Sequence, residues 1–150
     1  MSTGLYSGFL TFRLDLASAL LSERANAVYH ERWGLDVRAL RVLRLDCAEA
    51  GITPKAVSQR ALIEKTLLSK TLAELETRGL IGRDTHAQDR RSIALSGTPE
   101  GVKVAQASAK LGATLEADLS AALTLGERKT LDRLLKKLSD SLLDSAAEAT

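Results

Sequence analysis

What this chain lacks narrows it quickly. A single cysteine, Cys47, excludes an intrachain disulfide framework and agrees with a reducing cytoplasm. No apolar run approaches the ~20 residues of a membrane span. The start, MSTGLYSGFLTFRLD, has no basic leader segment and meets Arg13 and Asp15 too soon for a signal peptide. A cytoplasmic protein with no membrane partner is therefore expected. Two histidines, His30 and His86, and the one cysteine give no catalytic triad and no zinc-ligand spacing. A glycine-rich phosphate loop is missing too, so the chain does not read as an enzyme, and no cofactor or metal is expected. Internal repeats, low-complexity tracts and long linkers are also absent. Only two prolines occur, Pro54 and Pro99; each follows a threonine and each marks a helix start.

At 150 residues the chain is one domain by length, with the apolar and charged fractions, 45% and 27%, of an ordinary globular protein. The net charge of +2 says little about partners, but its distribution says more. Between Ile52 and Arg91 stand eight Lys/Arg (55, 60, 65, 70, 78, 83, 90, 91) against five Asp/Glu (64, 74, 76, 84, 89). That is a local excess of +3, modest for a nucleic-acid footprint.

The same stretch carries the strongest pattern. Leu68, Leu72 and Leu75 recur at i, i+4, i+7, one stripe of a helix from about Lys65 to Arg78. Thr66, Lys70, Ala73 and Thr77 lie opposite, with Ser69 at the flank. A solvated helix face normally carries long charges in pairs; short polar side chains and a cation suit a helix inserted in the major groove. Gly79 ends it. Leu80–Arg83 and Ser92–Ser96 then read as two short strands. The turn between them, DTHAQDRR, carries Asp89, Arg90 and Arg91. Packing cannot explain two arginines at a hairpin tip, whereas guanidinium forks match phosphate oxygens or a narrow minor groove.

Upstream, Thr53-Pro54 opens a short helix to about Leu62, preceded by a helix from Val37 to about Ala50, apolar almost all round and expected to be buried. Cys47 lies on its stripe with Leu40 and Leu43 and reads as a small core residue. Gly34 and Asp36 separate it from a first helix, Leu5 to about His30, with Leu5, Phe9, Phe12, Leu16 and Leu20 at helical steps. Downstream, a helix runs from Thr98 to about Leu119. After a break at Ala122-Leu123, Thr124 and Glu127 form a capping box. The last helix follows, striped by Leu131, Leu134, Leu135, Leu138 and Leu142, and the tail SAAEAT is expected to fray. Leucine stripes at both ends of a chain are what an α-helical homodimer interface needs.

Helix, helix, strand, charged tip, strand is a winged helix-turn-helix. On ETRGLIGR (Glu76–Arg83), the D-R-R wing (Asp89–Arg91) and T-P-E-G (Thr98–Gly101), the chain closely resembles the MarR-type bacterial transcription regulators. The expected fold is mostly α with a small β wing. Residues 36–96 would form the winged helix-turn-helix DNA-binding lobe, and residues 5–33 and 98–146 the dimerisation helices. The resemblance implies a homodimeric, ligand-responsive repressor on double-stranded DNA with a pseudo-palindromic operator. A winged-helix protein-interaction module that never touches DNA is the alternative.

Thr66, Ser69 and Lys70 are the candidate groove contacts, with Lys65 on phosphate; Gln59 and Arg60 are further phosphate candidates. In the wing, one of Arg90 and Arg91 would enter the minor groove while Asp89 orients the other. Family members commonly respond to small phenolic or anionic effectors, and the candidates for that role are Tyr29, His30, Trp33 and Arg41. The chain departs from the family pattern at three places. Leu62 stands where a turn glycine is common, Glu64 where a Ser or Asp cap is common, and Gly97 replaces a usual leucine, predicting a looser exit from the second wing strand.

Overall fold

The computed structural model describes residues 5–85 and 93–148. In chain order these form α1 (Leu10–Trp33), α2 (Val37–Ala48), α3 (Pro54–Ala61), α4 (Lys65–Thr77), β1 (Ile81–Thr85), β2 (Ile93–Gly97), α5 (Pro99–Leu119) and α6 (Leu125–Glu148). They divide into two compact units, residues 1–113 and 114–150. No helix is long and apolar enough to cross a membrane.

Local chemistry sets most boundaries in the first unit. Gly34 closes α1 at φ 65°, and the Asp36 carboxylate caps α2 by accepting from the Ala39 N–H at 2.8 Å. Thr53 Oγ1 accepts from the Ala56 N–H at 3.2 Å, with Pro54 in the first helical position of α3. The beginning of α1 is later than the leucine spacing predicts. Leu5 and Phe9 precede the helix; Phe9 stands at the cap position in an extended conformation and makes no side-chain cap bond. Nor are its leucines confined to one stripe: Leu10, Leu14, Leu16, Leu20 and Leu21 are all exposed.

The core of this unit gathers on α2, which packs against α1, α3, α4 and β2. Leu35, Leu40, Val42, Leu43, Val57, Leu75 and Leu95 are fully buried there. The expected all-round burial of α2 is a correction, since Arg38, Arg41 and Ala48 are exposed and the helix ends at Ala48. Asp46, by contrast, is fully buried among the apolar residues.

β1 and β2 form an antiparallel ladder, Ile81 opposite Gly97 and Thr85 opposite Ile93. A further pairing comes from outside the hairpin. Gly51 N–H donates to Leu95 O and Leu95 N–H to Ile52 O, both at 2.8 Å, so the turn after α2 is stitched to the wing. Gly97 is not a loose exit. It is paired within the ladder, and a Cβ there would collide with Cys47 Sγ, so the half-buried cysteine packs against bare backbone.

The second unit holds the end of α5 and all of α6. Thr124 Oγ1 accepts from the Glu127 N–H at 3.1 Å while Glu127 Oε1 accepts from the Thr124 N–H at 2.9 Å, the expected capping box. α6 continues to Glu148, so Ser145–Glu148 do not fray as the composition suggests. Leu131, Leu134, Leu135, Leu138, Leu142 and Leu143 are exposed along it.

Candidate nucleic-acid interface

α4 is anchored from behind. Leu68, Leu72 and Leu75 are 2%, 2% and 0% exposed, and Thr71, also buried, spends its hydroxyl on Leu67 O at 2.9 Å. That leaves Lys65, Thr66, Ser69, Lys70, Ala73 and Thr77 in solvent on the outer side. The cations end at Lys70, and Ala73 and Thr77 add no bulk. Ser69 and Thr77 hydroxyls donate to Lys65 O (3.1 Å) and Ala73 O (2.8 Å), which keeps them low on the helix with lone pairs outward. Glu64 caps nothing with its side chain, so the first-turn N–H groups of α4 have no side-chain acceptor.

The helix is fixed at both ends. Before it, Leu62 takes the left-handed conformation (φ 56°), the one described non-glycine residue with positive φ, and its side chain is 83% exposed. The turn a glycine would make freely is therefore held under strain by its neighbours: Ser58 Oγ donates to Ile63 O at 2.7 Å and Ile63 N–H to Ser58 O at 3.2 Å. After it, Gly79 (φ 71°) allows a double closure, Leu80 N–H to Leu75 O and Gly79 N–H to Glu76 O, both 2.9 Å. Thr98 then ties this end to α5, donating its N–H to Leu80 O (3.0 Å) and its hydroxyl to Gly79 O (2.6 Å). Gly101 lets α5 press onto the Leu80 carbonyl, where any Cβ would overlap it.

Of the remaining candidates, Asp89, Arg90 and Arg91 lie outside the described residues, as does His86. Gln59 is exposed; Arg60 is paired with Glu49 rather than free. The four effector candidates separate. Tyr29 is buried with its ring 6.1 Å from that of Trp33, and the Arg44 guanidinium covers it at 5.7 Å. His30 is exposed. Arg41 donates to Ala61 O at 3.1 Å and lines a polar groove with Asp15, Ser22, Asn26, Arg38 and Leu62.

Two features escaped the sequence reading. Asp46 has both carboxylate oxygens buried without a hydrogen-bond partner, and burial pushes its pKa up to about 7. Its helical register with Ala39, Val42 and Leu43 was the signal. The adjacent Cys47 thiol is pushed up by burial and then by the Asp46 charge, which makes it a poor nucleophile. Arg78, at the end of α4, reaches the end of α1, donating to Trp33 O at 2.6 Å and Gly34 O at 3.0 Å. A contact across 45 residues leaves no local mark.

A sequence profile of the MarR family matches residues 33–92, from the end of α1 into the wing. Over this stretch the chain is similar to the MarR family. It is 33% identical over 97 residues to a putative transcriptional regulatory protein for the hcr operon of Thauera aromatica, spanning 65% of this chain but only 58% of that protein. It is 29% identical over 112 residues to the transcriptional regulator HosA of Escherichia coli O127:H6, spanning 75% of this chain and 83% of HosA. Among solved structures it resembles the transcriptional repressor CouR bound to a 23-mer DNA duplex, with a TM-score of 0.81 and 26% identity over 93% of this chain and 98% of CouR. The mostly helical fold with a two-stranded wing thus matches the MarR winged helix, and the proteins it resembles are transcription regulators rather than enzymes.

Proposed function

We propose that this chain is a MarR-type regulator acting as a homodimeric repressor on duplex DNA with a pseudo-palindromic operator, each protomer laying α4 in a major groove. The observation that carries this reading is the outer side of α4. It is slim, polar and cationic, and it is backed by leucines that hold the helix rigid. Thr66, Ser69 and Lys70 read base edges while Lys65 and the uncapped first turn meet phosphates. Arg90 and Arg91, with Asp89, add the wing contact. The CouR–DNA likeness supports the DNA partner, and the exposed leucines of α1 and α6 support pairing with a second copy. Two-fold pairing places the two α4 helices about one helical turn of DNA apart. The site of action is the cytoplasm.

Effector response is the finer part of the proposal. Arg38 and Arg41 supply cations in the polar groove they line, fitting a small anionic molecule, while the Tyr29–Trp33 ring pair lies outside that lining. Such a molecule relieves repression only by binding better to a conformer that no longer fits the operator.

The test is an anisotropy titration of the full-length protein with DNA from upstream of its own gene, repeated across salt concentrations. Lys65→Ala and Lys70→Ala are each expected to weaken binding by roughly tenfold and to lower the salt slope by about one. Binding that ignores both salt and these substitutions would sink the proposal and favour a winged-helix module that docks on protein.

A further inference from the structure

We propose that Arg78 is a positioning residue: it holds the end of the recognition helix to the end of α1, and so fixes the operator spacing that the dimer accepts. This rests on the DNA-binding reading above, although the clamp itself does not.

The last turn of any helix leaves carbonyls without partners and gathers partial negative charge there. α1 ends at Gly34, and Arg78 supplies donors to that end: Nη1 to Trp33 O at 2.6 Å and Nη2 to Gly34 O at 3.0 Å. Glu74, one turn back on α4, holds the same Nη2 at 3.0 Å. A planar fork with its two ends on successive carbonyls fixes direction as well as distance. Gly34 makes the approach feasible, since a Cβ there would lie 3.1 Å from Nη2 and 3.2 Å from Nη1.

The two elements joined have different tasks. α4 carries the groove face; α1 carries exposed leucines. The Gly79–Leu80 closure leaves the backbone at Arg78 little freedom, so its guanidinium transmits the position of α4 rather than following it. In a dimer, the angle of α4 to α1 in each protomer decides how far apart the two recognition helices stand. Arg78 acts on DNA affinity through that angle, without touching DNA.

The test uses the full-length protein as wild type, Arg78→Ala and Arg78→Lys, each checked by circular dichroism for retained helix. Acrylamide quenching of Trp33, the sole tryptophan, reads the clamp whether or not DNA binds. Anisotropy titrations then use the upstream DNA over a salt series, and duplexes with one or two base pairs added or removed at the operator centre. Both variants are expected to raise Trp33 quenching by about twofold or more. Both should lose roughly tenfold in affinity at native spacing with an unchanged salt slope, and should discriminate less between spacings. Lysine fails to rescue because an ammonium lacks the planar fork. Wild-type-like affinity and spacing preference in Arg78→Ala would overturn the proposal. So would a salt slope lowered by about one and restored by lysine, which marks a phosphate contact. If the wild type ignores the DNA, the proposed function and the spacing role fall together; unchanged Trp33 quenching in Arg78→Ala overturns the clamp by itself.

Discussion

The segment from Leu35 to Leu95 and the long helix α6 are both rich in leucine, and they use it in opposite ways. In the first, Leu40, Leu43, Leu75 and Leu95 are sealed within one chain. In the second, Leu134 remains 47% exposed and Leu142 62% exposed. Residue type is the same; what differs is whether the chain supplies both sides of the contact. The winged-helix segment closes its own core, because α2 is surrounded by α1, α3, α4 and β2. The stripe of α6 is left exposed, and the proposed pairing with a second copy of the chain would cover it.

That contrast can be broken most forcefully at its two ends. Leu75→Ala should cost about 3–5 kcal/mol in urea unfolding whatever the protein concentration, since it opens a cavity in a closed core. Leu134→Glu with Leu138→Glu should leave the winged-helix segment folded but shift sedimentation from dimer to monomer, with stability that no longer depends on concentration. Equal behaviour of the two variants would erase the distinction.

Asp46 sharpens the comparison from inside the closed core. Its folded pKa, about 7, lies above the ordinary carboxylate value of 3.8, so the folded state holds the proton to higher pH than the unfolded state does. Its contribution is therefore intact below about pH 4 and is lost as pH rises toward 7, by at most about 4 kcal/mol. Asp46→Asn should flatten this dependence and raise the urea midpoint at pH 8. An identical pH profile in the variant would show that the carboxyl is not the source.

The smallest expected effect lies at the turn before α4. Leu62→Gly should add about 1 kcal/mol by removing the left-handed strain, read as a rise in melting temperature. No gain would mean that the extra freedom of glycine in the unfolded chain offsets the relief.

Sequence alone revealed the elements whose causes are local. Thr53-Pro54, Asp36, Gly79 and the Thr124–Glu127 box each act within a few residues, and each ends or begins a helix where it was expected. The anchoring of α4 by Leu68, Leu72 and Leu75 was legible because periodicity is also local. The oddity of Leu62 was visible as a missing turn glycine, and its positive φ is the physical counterpart. What escaped depends on distant neighbours. The stitch of Ile52 to Leu95, the seat of Cys47 on Gly97 and the reach of Arg78 to Trp33 join residues tens of positions apart. The start of α1 was misplaced for another reason: hydrophobic spacing continues upstream of Leu10, and no side-chain cap marks where the helix begins.

The junction at Gly79–Leu80 has a mechanical consequence. Thr98 holds both carbonyls, and the backbone of Gly101 rests on the second with no side chain between them. Nothing compressible separates the first turn of α5 from the end of α4, so a tilt imposed on one is handed to the other undiminished, as through a rigid coupling. Whatever bends the start of α5 therefore steers α4 as well.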